Sequence, residues 1–213
     1  MAINSACEVN MTNPIEYFYS THSAFAYLGS AKLNAIALAA GRQITHKPFD
    51  QRRSVKVARG ENFDGYSAAH IAYFFGREIE RWAEYRQVGI IDCRPTYHDN
   101  DLSLSSGMII AAVDAELCAD NLAHAILEAH WRDDADHADP KTLVKIAKDV
   151  GYDAEMLLDT ARDPRIQTIF QANTDEAIER SVFGSPTYFI DGDMFYGQDR
   201  LELVEHALKK PFG

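Results

Sequence analysis

The chain has 213 residues, and 21 Lys and Arg against 32 Asp and Glu leave it a formal charge of −11. With 46% hydrophobic and 25% charged residues it has the balance of a soluble globular protein, long enough for one large domain or a small one carrying a sizeable insertion. The acidic balance excludes generic nucleic-acid binding, which calls for a basic surface, and no apolar run approaches the roughly 20 residues that span a bilayer.

Residues 1–14 lack the charged and apolar regions of a signal peptide and read as a tail. Ile15 to Ser20 is β-branched and aromatic, a predicted strand. Ser23 to about Ala40 is rich in Ala and Leu and stops at Gly41, a helix with a C-terminal glycine. Gln43 to Phe49 reads as a second strand, and such a strand–helix–strand unit pairs its strands in parallel with a right-handed crossover. A long helical middle follows, from about Tyr66 to Arg180. Within it, Leu122, Ala125, Ile126 and Ala129 mark one helix, and Ile166, Ile169, Phe170, Asn173 and Ala177 another. Between them Asp139-Pro140 caps a helix with Leu143, Ile146, Ala147 and Val150 on one face, closed by Gly151. Pro186 to Asp191 and Met194 to Gly197 then form a hairpin turning at Asp191-Gly192-Asp193, before a last helix with Leu201, Val204 and Leu208 on one face.

The plan is βαβ, a helical block, then ββα. It predicts an α/β, thioredoxin-like fold built from residues 15–65 and 181–213, interrupted by a helical insertion over 66–180. In such a fold the first strand runs into the first helix at a turn whose unpaired N–H groups can hold an anion or a thiolate. That turn is Thr21-His22-Ser23, and Ser23 is also the residue type expected of an ordinary N-cap. The redox tetrapeptide of thioredoxins is here Ser23-Ala24-Phe25-Ala26. The three cysteines, Cys7, Cys93 and Cys118, form no C-x-x-C, which excludes a disulfide framework, a zinc ribbon and a dithiol redox centre and makes a reduced, cytoplasmic protein the expectation. Pro186, preceded by Gly184-Ser185, stands where thioredoxin-like folds place a cis-proline.

Several segments together carry a family resemblance: Phe18 to Leu28, Arg81-Trp82-Ala83, Val182 to Thr187, and above all Met194 to Leu201. His130-Trp131, Asp139-Pro140 and Gly151 follow the same layout. The chain resembles the 2-hydroxychromene-2-carboxylate isomerases and the related kappa-class glutathione transferases, a DsbA-like branch of the thioredoxin superfamily. The resemblance runs from about residue 15 to the end. It implies glutathione as cofactor, a small aromatic substrate and a homodimer. It implies that Ser23 is catalytic, holding the glutathione sulfur as a thiolate, while Ser185, Pro186, Gln198, Asp199 and Asn62 bind glutathione. His22, Phe25 and Trp82 are the expected substrate-pocket residues. The chain departs from the family at Ala24, usually Pro, at Ser185, usually Val or Leu, and in the polar Ser20-Thr21-His22. The activity implied is interconversion of 2-hydroxychromene-2-carboxylate with trans-o-hydroxybenzylidenepyruvate. The alternatives are a kappa-class-like transferase acting on small electrophiles and a non-catalytic thioredoxin-fold binder.

Other features read as structural. The run Asp134 to Asp139 lacks the glycine and final glutamate of a calcium loop, so a solvated loop and no metal are expected there. His22 reads as a loop histidine near the pocket mouth rather than half of a Ser–His dyad. Glu78, Glu80, Arg81 and Arg86 read as an exposed helix face. Tyr73, Phe74, Phe75, Trp82 and Tyr85 are expected to pack between insertion and sheet, or to wall an aromatic substrate.

Overall fold

The computed structural model describes residues 13–60 and 65–213. Four strands form one sheet in the order β2-β1-β3-β4: β1 (Ile15–Tyr19), β2 (Ile44–Pro48), β3 (Thr187–Ile190) and β4 (Asp193–Tyr196). Strands β1 and β2 pair in parallel, and the other two pairings are antiparallel. The parallel pair is joined by helix α1 (Ala24–Ala40), which ends at Gly41 in the left-handed conformation, φ 62°. The hairpin turn is one residue shorter than the sequence pattern indicates, because Asp193 already pairs with Ile190. Asp191 and Gly192 alone make the turn, both with positive φ (52° and 92°), as a type I′ turn requires.

Central strand β1 is buried on both faces, and its alternation decides which residue goes where. Ile15, Tyr17 and Tyr19 face α1 and the helical segment, with the Tyr17 and Tyr19 rings stacked 4.1 Å apart. Phe18 faces a second cluster containing Phe49, Ala177, Val182 and Phe189. Glu16, two residues from Phe18, reaches Lys47 at 2.9 Å and Arg180 at 2.8 Å.

After β2 come α2 (Gln51–Arg59), a single turn α3 (Ala68–His70), a π-helical stretch Ile71–Arg77, and α4 (Glu78–Arg86). Then follow α5 (Ser103–Asp114), α6 (Asp120–Arg132), α7 (Pro140–Asp149), α8 (Ala154–Ala161) and α9 (Pro164–Glu179). Helices α7, α8 and α9 start on aspartate caps, Asp139, Asp153 and Asp163, whose carboxylates accept from first-turn amides. The chain ends in a 3₁₀ turn Gln198–Arg200 and helix α10 (Leu201–Lys209). One apolar cluster runs from Tyr17 and Tyr188 of the sheet through Leu33 of α1 to Met108, Ile126 and Leu157 of the helical segment. Leu33 is fully buried in it, and truncating such a side chain to Ala costs about 2–5 kcal/mol. The helical segment is therefore fixed against the sheet where the two meet at the end of β1.

Candidate active site

The register of β1 against β3 sets Phe18 opposite Thr187, so the turn after β1 lies beside the residues that enter β3. Those residues include the Ser185–Pro186 peptide bond, which is cis. Ser23 is the N-cap of α1: its Oγ accepts from the Ala26 amide at 3.2 Å and donates to the carbonyl oxygen of Ser185, also at 3.2 Å. Ser185 Oγ accepts from the Ser20 amide at 3.0 Å. The two serines are 7% and 5% exposed, so this junction is closed from bulk solvent except through the cavity beside it.

That cavity has a volume of about 520 Å³, within the range of small-molecule sites. Its walls include His22, Ser23, Phe25, Phe74, Phe75 and Trp131. A smaller cavity of about 240 Å³ adjoins it, lined by Trp82, Gln198, Asp199 and Arg200 among others. Phe25, Phe74, Ser185 and Tyr196 line both. Trp82 thus borders the smaller cavity with Gln198 and Asp199, not the larger one with His22 and Phe25, because α4 leads away from the π-helical stretch toward the 3₁₀ turn.

Gln198 is 1% exposed, and its Oε1 accepts from Arg86 at 3.1 and 3.3 Å, while Arg86 also donates to its carbonyl at 3.2 Å. Its Nε2 is buried without a hydrogen-bond partner among the described residues. Asp199 is ion-paired with Arg200. Gly29 of α1 has no side chain for a reason: a Cβ there would come within 2.7 Å of Gln198 Cβ and 3.2 Å of the Tyr188 hydroxyl. Asn62 lies outside the described residues.

Three sequence expectations need correction. His22 is not a histidine at the pocket mouth: it is 8% exposed, its Nδ1 is 2.9 Å from Ser20 Oγ, and Trp131 Nε1 donates to its carbonyl at 3.0 Å. Arg86 is not on an exposed face; its side chain is 10% exposed and lies against the Trp82 ring at 5.2 Å. The Asp134–Asp139 segment is not simply solvated, since His137 within it is 1% exposed against His130, itself fully buried. The aromatic run divides: Phe74 and Phe75 face the large cavity, whereas Tyr73 and Tyr85 are 56% and 72% exposed. Among the described residues no group of three or more His, Cys, Asp or Glu is arranged to hold a metal ion, and no helix is long and apolar enough to cross a membrane.

Burial lowers the pKa values of the histidines around the large cavity. His22 is held well below the ordinary imidazole value by burial first and the neighbouring His98 second. His98 is held down to about 3 by burial and by His130, and His130 to about 4 by burial and by His137. At neutral pH all three are uncharged.

The model of the DSBA-like thioredoxin domain matches residues 14–209. The chain belongs to that family. Among curated relatives, this DsbA-like protein is 28% identical over 200 residues to a 2-hydroxychromene-2-carboxylate isomerase of Sphingobium xenophagum, covering 93% of this chain and 99% of that one. It is 24% identical to the enzyme of the same name from Pseudomonas sp. strain C18, over 91% and 89% of the two chains. A solved 2-hydroxychromene-2-carboxylate isomerase superposes with a TM-score of 0.74 at 23% identity, over 92% and 94% of the chains, which bears on the fold. Unlike a dithiol oxidoreductase of the same fold, this DsbA-like chain has serine and alanine at the two ends of the tetrapeptide that starts α1.

Proposed function

We propose that this protein is a glutathione-dependent isomerase that interconverts 2-hydroxychromene-2-carboxylate and trans-o-hydroxybenzylidenepyruvate. The observation that carries this reading is the adjoining pair of cavities: an aromatic-walled one bordered by Ser23, and a smaller one bordered by Gln198 and Asp199, with Ser185 lining both. The names of the curated relatives support the same activity.

The residues present fit glutathione. The buried, unpartnered Gln198 Nε2 offers a donor to a peptide carbonyl or carboxylate, and the Asp199 carboxylate suits an ammonium once it releases Arg200. When bound, glutathione would supply a thiolate able to add reversibly to an electron-poor carbon, turning a double bond into a rotatable single one. Ser23 would turn its hydroxyl from the Ser185 carbonyl to the sulfur, and the partial positive charge at the start of α1 would lower the thiol pKa. Phe25, Phe74 and Phe75 would hold the aromatic ring and keep water from it.

The test is interconversion of the two isomers followed spectroscopically with and without glutathione, in the wild type and in Ser23→Ala. Glutathione dependence, with loss of both activity and the ultraviolet thiolate band in the variant, is expected. Isomerisation without glutathione, or an unchanged band, would refute the assignment. Transfer of glutathione to aryl halides with no isomerisation would place the protein with the transferases instead.

A further inference from the structure

Both isomers of the proposed reaction carry a carboxylate, and the residues assigned so far give it no partner. The wall of the large cavity offers little positive charge for one. Its histidines, His22 and His98, are uncharged at neutral pH, held low chiefly by burial. Among the described residues that line it, Arg94 is the one arginine, and no lysine lines it. The two carboxylates in the same wall leave Arg94 unoccupied: Glu80 is paired with Arg77 at 2.9 Å, and Asp92 makes no ion pair among the described residues.

Arg94 is oriented but not used up. Its Nη2 donates to Asp99 Oδ1 at 2.7 Å, and no other hydrogen bond or ion pair engages the guanidinium among the described residues. A guanidinium carries five N–H donors in one plane, so most of them remain for a second acceptor. Asp99 Oδ1 also accepts from Arg52 at 3.2 Å, so a single carboxylate oxygen is divided between two guanidiniums. Arg52 donates to the His98 carbonyl at 3.0 Å as well, which ties the segment bearing Asp99 to the start of α2. The Arg94 side chain is 59% exposed, so it can meet an anion at the cavity rim without the large desolvation cost of a buried pair.

Resting on the proposed isomerase activity, we propose that Arg94 recognises the carboxylate of the substrate, and so selects aromatic acids over their neutral counterparts. The planar fork of a guanidinium matches both oxygens of a carboxylate. With the acid end held at the rim, the apolar remainder of the substrate has Phe25, Phe74 and Phe75 for its wall. Arg94 lines the large cavity and not the smaller one beside Gln198 and Asp199, which separates this task from the glutathione binding given to those two residues. Asp99 is the positioning residue, acting only through the Arg94 side chain.

The experiment measures isomerisation of 2-hydroxychromene-2-carboxylate and of its methyl ester, at saturating glutathione, by the wild type, Arg94→Ala and Arg94→Lys. In Arg94→Ala the KM for the acid should rise about 10-fold, the low end for a charge-assisted bond because the side chain is half-exposed. The kcat, the kinetics on the ester and the KM for glutathione should stay as in the wild type, and Arg94→Lys should recover part of the loss. An active wild type beside an unimpaired Arg94→Ala, or an equal loss on acid and ester, would overturn this assignment alone. So would a raised KM confined to glutathione, which would make Arg94 a partner of that tripeptide's carboxylate. A wild type inactive on both isomers would overturn the proposed function and this assignment with it. If Arg94→Ala fails to fold, the wild type decides: acid preferred over ester supports the assignment, and equal kcat/KM for the two refutes it.

Discussion

Ser23 Oγ donates to the carbonyl oxygen of Ser185 at 3.2 Å, so the start of α1 is tied to the residue before the cis-proline through one hydroxyl. The same oxygen accepts from the Ala26 amide, which makes Ser23 a structural cap as well as the candidate catalytic group. Ser23→Ala is expected to lower stability by about 1 kcal/mol, as loss of a serine cap usually does. Urea unfolding checks this, and the activity loss should far exceed what that destabilisation explains.

Gly29→Ala should damage the smaller cavity from behind. The added methyl meets Gln198 Cβ at 2.7 Å, so either Gln198 or α1 must move. A destabilisation of about 1–3 kcal/mol is expected, with a raised KM for glutathione. Thermal unfolding and steady-state kinetics on the one variant read both effects.

Arg86→Ala should weaken glutathione binding without touching the chemistry. It removes three hydrogen bonds that orient Gln198, charge-assisted ones that are worth about 1.5–3 kcal/mol each. The expected result is a several-fold higher KM for glutathione and a kcat within a few-fold of wild type. Arg86→Lys should not restore it, since an ammonium lacks the planar fork that spans Oε1 and the carbonyl.

Acid should unfold the protein in two stages. His98 and His130, at about 3 and 4 in the folded state, bind protons more weakly than in the unfolded chain, so stability falls as pH drops below about 6.5. Glu16 adds a second loss: chiefly the Arg180 guanidinium, with Lys47, holds its carboxyl at about 2, so its contribution is complete above about pH 4.5 and disappears as pH falls toward 2. Urea midpoints between pH 2 and pH 7 should decline through both windows, and Glu16→Gln should flatten only the lower one.

What was legible in the sequence was local. The strand–helix–strand opening, the Ser23 cap, the Asp139-Pro140 helix start and the hairpin each depend on residues within a few positions of one another, and each is present, the hairpin with a turn one residue shorter than expected. What was not legible depends on distance along the chain. Arg86 meets Gln198 across 112 residues, and its charge pattern alone reads as a solvated face. His98 and His130 are 32 residues apart, and no spacing rule connects them, so their contact exists only in the fold.

The π-helical stretch Ile71–Arg77 has its own consequence. A π turn carries one more residue than an α turn, a register change common at functional sites, and here Phe74 and Phe75, adjacent in sequence, both reach the cavity wall. The phase of the helix therefore sets the shape of the aromatic wall as much as side-chain identity does. Removing one residue between 71 and 77 would return the segment to α periodicity and swing one ring away. A one-residue deletion there should therefore reshape the aromatic wall more than a substitution of either ring would.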